Sequence, residues 1–299
     1  MTFSSKLDVT VGVRGDHESK TAALNTFFTP PIAPANPVNA DNSFNDVSPQ
    51  FTVTYHVKHG NIVYGTASRG FKAGGFNAAA PPGNEAYGEE NSWNFEGGMK
   101  SSWLTDRLTV NAAVFYLRWQ DLQVNVPNPF VPAQFFIDNA GHATSKGVEF
   151  EVTARPMPGL DVFGGVGTTN ARFGSDGVSG GVDVSGNKLS NAPGFTADAG
   201  VQYSRPVSGT LSAYGRADVV SYGSFQYDDA NTAQQDAYAL TNLRGGVRSG
   251  KVFIEGWVRN AFNKAYVLTA FAYPLFAPSG FIGENGPART FGVRVGVTF

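Results

Sequence analysis

The chain has 299 residues, 15% of them charged and 13% aromatic, with a net charge of −2 and no cysteine. So neutral a balance gives no field for a nucleic-acid partner. The lack of cysteine excludes disulfide scaffolds and thiolate metal sites. The length suits one large barrel or two ordinary domains. The most apolar stretch, Ala265–Ala277, is too short for a helical span and holds Pro274. The chain opens directly in strand pattern, without a secretory leader, which leads us to expect a mature form or a portion of a longer protein.

Period-two alternation starts at once. Leu7, Val9, Val11 and Val13 alternate with Asp8, Thr10, Gly12 and Arg14. Phe51, Val53, Tyr55 and Val57 alternate with Thr52, Thr54, His56 and Lys58. Val148, Phe150 and Val152 alternate with Glu149, Glu151 and Thr153, and the same rhythm recurs over 195–204, 210–219 and 291–299. About twelve strands are predicted in all. Some runs extend to lengths beyond a sandwich strand, as in Arg107–Asn125 and Lys251–Ala270. In Phe115–Trp119 and Phe253–Trp257 both faces are apolar, which predicts lumenal packing or bulges.

The connections alternate in length. Lys58–Asn61, Leu104–Arg107, Arg155–Gly159, Arg205–Gly209 and Arg248–Lys251 are tight turns. Between them fall long polar or Gly/Pro-rich stretches near 21–46, 78–89, 127–134, 175–186, 227–235 and 271–285. Tight turns at one rim and long loops at the other predict an all-β, antiparallel up-and-down transmembrane barrel. Tyr55, Tyr64, Trp103, Tyr203, Phe253 and Phe299 lie near the short turns or the C-terminus, as an interfacial girdle requires.

Five stretches share a further likeness. They are Gly70–Asn77 (GFKAGGFN, preceded by Arg69), Glu89–Ser101, Asn139–Glu151, Arg259–Tyr266 and Arg289–Phe299. In this order they resemble the strand-and-loop signatures of TonB-dependent outer-membrane receptors of the siderophore type. The residues carrying the likeness are Arg69, Gly70, Phe71, Lys72, Gly74, Gly75, Phe76, Gly147, Glu149, Asn260 and Phe299. We expect the glycines to supply positive φ or close chain approach. The resemblance implies a barrel of about 22 strands with a plugged lumen. It also implies that residues 1–299 form the C-terminal barrel portion, with the plug, the TonB-contacting segment and the early strands outside it. It implies outer-membrane lipid around the wall and TonB energy reaching the barrel only through the plug. A ferric siderophore or another large nutrient would be the cargo. Phe299, with Val297 and Val295, resembles the end-strand signal read by the barrel-assembly machinery, and serves equally as a last lipid-facing residue.

Chemistry is sparse. Gly177–Gly181 is a literal G-x-S-x-G string, but Ser179 sits in a Gly-rich loop with no helix to follow, unlike a nucleophile elbow. His56 and His59 straddle a strand end and a turn, a poor zinc frame. Glu149 and Glu151 read as a lumenal charge network. No catalytic residue, metal site or cofactor is expected. The ligand-contact candidates are loop residues: Phe225, Tyr227 and Asp228, with Asp229 beside them, and Phe271, Tyr273, Phe276 and Phe281. Exposed aromatics at a rim suit an apolar or aromatic ligand. A self-contained twelve-strand channel or hydrolase, and a soluble all-β binding domain, stand as alternatives.

Overall fold

The alternating segments pair as antiparallel strands in the computed structural model, which describes residues 2–4, 6–27, 37–58, 60–131, 134–273 and 280–297. One sheet runs through β1 (Thr2–Ser4), β2 (Leu7–Leu24), β3 (Val38–Lys58), β4 (Asn61–Lys72), β5 (Glu90–Trp103), β6 (Leu108–Gln120) and β7 (Ala143–Met157). It continues through β8 (Leu160–Phe173), β9 (Phe195–Ser208), β10 (Leu211–Tyr222), β11 (Tyr238–Ser249), β12 (Val252–Arg259) and β13 (Thr290–Val297). Each strand pairs with its neighbours in chain order, so the topology is a meander. Twelve of the thirteen are long, as expected, and β1 adds a three-residue edge. Among the described residues there is no helix, and no ladder joins β13 to β1.

The two rims differ as predicted. At the tight rim the turn between β5 and β6 puts Leu104, Thr105 and Asp106 in the left-handed region in succession, at φ 56°, 58° and 62°. At the loop rim five small hairpins rise above the wall. They pair Gly75–Phe76 with Ala86–Tyr87, Gln123–Pro127 with Phe135–Asn139, and Val178–Ser179 with Val182–Asp183. The others pair Phe225–Gln226 with Gln234–Gln235 and Val267–Ala272 with Phe281–Asn285.

Three expected boundaries move. Of the described residues within 21–46, Thr21–Leu24 and Val38–Asp46 are strand, because β2 and β3 stay paired from Leu7↔Tyr55 out to Leu24↔Val38. Above a membrane both faces of a hairpin meet water, so polar composition there mimics a loop. Arg107–Asn125 breaks at Asp121, which adopts φ 54°. Lys251–Ala270 breaks after Arg259, where Asn260 and Asn263 adopt φ 46° and 52°.

The wall's outward face is apolar and exposed, with Val11, Phe51, Tyr116, Phe150, Val201, Ile254 and Val293 among its side chains. Tyr55, Trp103 and Tyr203 are also exposed, as a girdle needs. Tyr64 and Phe253 belong to the other face, and Phe299 lies outside the described residues. Tyr64 donates to Glu96 at 2.6 Å, and the guanidinium of Arg294 sits 5.3 Å from the Phe253 ring centre. Polar pairs share this inward face, including Thr52 with Thr66 (3.0 Å) and Asn111 with Glu151 (3.3 Å). His56 is 2.7 Å from Asp8 across β2 and β3, while His59 lies outside the described residues.

The stretches with two apolar faces contain no bulge. Their inward rings lie against glycines instead. Six directly opposed cross-strand pairs follow this rule: Tyr64–Gly98, Phe115–Gly147, Phe163–Gly200, Tyr214–Gly246, Trp257–Gly292 and Phe253–Gly296. A Cβ added at any of these glycines would run into the ring. Glycine in a strand interior has no side chain to pack, and the opposing ring covers the gap. The role expected of Gly147 is thereby refined. Its φ is not positive, and it is required by the approach of Phe115 and the Thr168 carbonyl.

Candidate functional site

The loop rim is tied down first by the residues of the GFKAGGFN stretch. Arg69 bonds the Asp46 carboxylate at 2.6 Å, the Val47 carbonyl at 2.7 Å and Asn91 Oδ1 at 2.6 Å, linking β3, β4 and β5. The Asp46 side chain is only 3% exposed while that of Arg69 is 25% exposed, so the carboxylate is the buried partner of the pair. Phe71 and Lys72 pair with Asn91 and Glu90, and Phe76 with Ala86. Gly70, Gly74 and Gly75 are not at positive φ. Close approach alone explains them, with Ser92, Phe44 and Tyr87 where a Cβ would sit. Lys20 donates to the Gly74 carbonyl at 2.7 Å.

Amide side chains then splice loop to loop. Asn77 is buried; it donates to the Ile137 carbonyl at 2.8 Å and accepts from the Ile137 amide at 3.0 Å. Its side chain thus mimics one rung of a β-ladder. Asn139 and Gln123 both reach the Gly88 carbonyl. Asn231 accepts from Lys188 N and donates to Lys188 O, joining two further loops. His142 and Asp176 meet at 2.6 Å, and that hydrogen bond holds the Asp176 carboxyl below its ordinary pKa. These amides were missed in the sequence, where they read as generic loop polarity. Their density in the long stretches is the one available signal.

Within this framework four loops enclose a cavity of about 500 Å³. Of the expected contact residues, Tyr227, Asp228, Phe271, Tyr273 and Phe281 line it, and Asp229 joins them. Phe225 does not line it; it is buried edge-on against Tyr227 at 5.3 Å. Phe276 lies outside the described residues. The Tyr227 hydroxyl donates to the Val267 carbonyl at 2.8 Å and lies 3.0 Å from Gln235 Oε1, fixing the ring beneath the last hairpin. Burial raises its pKa, so it stays a neutral hydroxyl. Asp228 accepts from Thr232 N, Thr232 Oγ1 and Ala233 N, closing its own turn. Asp229 accepts from Ser179 Oγ at 2.8 Å. The partner of Ser179 is therefore a carboxylate, not the imidazole a nucleophile needs. Phe271 stands edge-on to Phe135 at 5.7 Å and to Tyr273 at 6.4 Å.

Asn260 is buried at the foot of the last long loop. It donates to the Lys264 and Pro287 carbonyls and accepts from Lys264 N, which gives its place in the family-like segment a structural reason. Glu149 faces Gly167 and Ala113 on the inward side.

Comparison with known proteins agrees with this architecture. The family model described as TonB dependent receptor-like, beta-barrel matches residues 1–263. The pesticin receptor of Yersinia pestis is 26% identical over 308 aligned residues, covering 99% of this chain and 42% of that protein. The chain therefore spans under half the length of the curated relatives it matches. Among solved structures, the ferric yersiniabactin uptake receptor of Yersinia pestis superposes with a TM-score of 0.85 at 21% identity, over 99% of this chain and 44% of that one. A siderophore receptor from Acinetobacter baumannii gives 0.76 at 19% identity, over 98% and 41%. A copper transporter gives 0.76 at 16%, over 99% and 46%.

Proposed function

The chain belongs to the TonB-dependent receptor-like β-barrel family, a family of receptors of the bacterial outer membrane and not of enzymes, and from that premise we propose that it builds the wall and part of the external binding site of a nutrient importer. A ferric siderophore is the cargo class favoured by the siderophore receptors among the similar structures. The observation that carries the reading is the loop cavity, where aromatic residues from separate stretches of sequence meet over one opening. Capture there precedes passage through the lumen. In this reading the outward apolar face sits against lipid. The closing strand carries the signal for the barrel-assembly machinery. Active import draws on TonB through a plug domain that is not formed by residues 1–299, which act as one barrel unit.

Binding tests the site. Outer-membrane vesicles carrying the protein are titrated with hydroxamate and catecholate chelates of radioactive iron. For whichever chelate the wild type captures, Phe271→Ala and Tyr273→Ala should each weaken capture about tenfold, the scale of an aromatic anchor. Capture equal to wild type in both variants would remove the cavity from the mechanism. TonB-dependent uptake by cells carrying these residues alone would overturn the assignment of energy coupling to another part.

A further inference from the structure

The cavity has a charge as well as a shape. Among the described residues its lining holds two carboxylates, Asp228 and Asp229, and no Lys, Arg or His. The surroundings repeat the bias. The six long connections (25–37, 73–89, 121–142, 174–194, 223–237 and 260–289) carry ten Asp and Glu against three Lys and Arg. For the whole chain the balance is nearly even, 24 against 22. The excess of negative charge is thus concentrated at the loop rim.

Such a rim repels an anionic ligand before contact, and the low-dielectric walls of a cleft strengthen the field. Inside, Phe135, Tyr227, Phe271 and Tyr273 present rings. Aromatic faces attract cations, and more so when water is excluded. Among the described residues neither carboxylate has an ion pair with a basic side chain: Asp228 is held by hydroxyl and amide donors, and Asp229 by a hydroxyl.

Resting on the reading of this cavity as the capture site, we infer that it takes a ligand of net positive charge carried on an apolar or aromatic body. The positive group meets Asp228 and Asp229, and the body lies against the rings. An anionic chelate, such as a ferric tris-catecholate, is excluded by the same charges that draw the cation in.

The probes are three naphthalene fluorophores alike in size, bearing a trimethylammonium, an uncharged amide or a sulfonate group. Each is titrated against vesicles carrying the wild-type protein and against matched vesicles carrying Phe271→Ala, so that the difference reports the cavity alone. The cationic probe should bind about tenfold or more tighter than the sulfonate, the scale of two nearby unpaired charges in a partly screened site. Added salt should narrow the gap. Gln134→Lys, which places a cation on the lining without touching either aspartate, should reduce or invert the preference. Equal or tighter binding of the sulfonate by the wild type, still lost in Phe271→Ala, overturns the charge inference and leaves the capture site standing. Failure of all three probes to distinguish wild type from Phe271→Ala up to millimolar concentration overturns both.

Discussion

Phe163 on β8 faces Gly200 on β9, and its ring fills the space where a side chain at Gly200 would begin. The guanidinium of Arg216 lies over the same ring, 4.5 Å from its centre. At Gly200 the three atoms nearest to an added Cβ all belong to this ring. At Gly147 the obstacle is both a ring, Phe115, and a fixed carbonyl, that of Thr168. Gly200→Ala should therefore cost about 1–3 kcal/mol by overpacking, and Phe163→Ala in the same chain should abolish that cost. Gly147→Ala should cost at least as much and should not be rescued by Phe115→Ala, because backbone does not yield. Urea midpoints in lipid vesicles for the two double-mutant cycles check this. Rescue at both sites would show that the carbonyl at Gly147 is no constraint.

Arg69 neutralises a carboxylate that has almost no access to water. Removing one partner of such a pair leaves a buried charge and costs about 3–5 kcal/mol. Arg69→Ala should show that loss, and Arg69→Lys should restore little of it, because a lysine cannot reach Asp46, Val47 O and Asn91 together. Asp46→Asn combined with Arg69→Ala should recover part of the stability. A urea midpoint for Arg69→Ala unchanged from wild type would contradict the assignment.

Asn77 provides both a donor and an acceptor to Ile137 from within a buried position. Asn77→Leu keeps the branched shape and loses these two bonds and the one to the Asn84 carbonyl, leaving three backbone groups without that partner, at about 1–3 kcal/mol for each left unsatisfied. The loss is local to the loop rim, so proteolytic nicking within 78–89 or 128–134 should accelerate while the wall keeps its unfolding midpoint. Global unfolding without faster nicking would place the role of Asn77 in the wall.

Asp176 is held below its usual carboxylate pKa, chiefly by the hydrogen bond with His142. A depressed carboxyl pKa contributes stability that is present above the unfolded value, near 3.8, and is lost as pH falls through the lower folded value. The tie between loops 121–142 and 174–194 should hold at neutral pH and weaken in the acid range. Pepsin cleavage of these loops should rise as pH drops below about 4, and Asp176→Asn should flatten that dependence. An identical acid profile in the variant would dismiss the tie.

The Tyr227 hydroxyl connects the floor of the cavity to the last hairpin through Val267. Tyr227→Phe keeps the ring and should cost about 0.5–1.5 kcal/mol in rim stability. Ligand affinity should fall less than in Phe271→Ala. The comparison is a binding isotherm for each variant, and a larger loss in Tyr227→Phe would make the hydroxyl a ligand contact.

Period-two patterning made the wall legible, because one exposed apolar face repeats from Val11 to Val293. Turn and loop lengths set the two rims apart for the same reason: a tight turn needs few residues, and a long loop cannot hide. The cavity was half legible. Tyr227, Phe271 and Tyr273 stood out as aromatics in polar loops, and the structure gathers them. The splicing amides were not legible. Asn77 and Asn231 look like any loop asparagine until their partners, some 40 to 60 residues away, are placed beside them. Lengths misled at 21–46 and Lys251–Ala270, because polar composition does not forbid pairing and apolar composition does not guarantee it. Inward aromatics such as Phe253 misled in the same way, since a ring opposite a glycine reads as a second lipid face.

The six ring-over-glycine pairs also number the wall. Strands in a meander of similar residues can slide, and the smallest slide that keeps each face is two residues. Moving β7 that far past β6 brings Phe115 opposite Glu149 or Ser145, and moving β13 past β12 can set Phe253 against Arg294. Each ring then meets a side chain where it had met a hydrogen, while a glycine elsewhere is left bare. The pairs act as detents along the ladders, so that the wall clicks into one alignment and rejects its near copies.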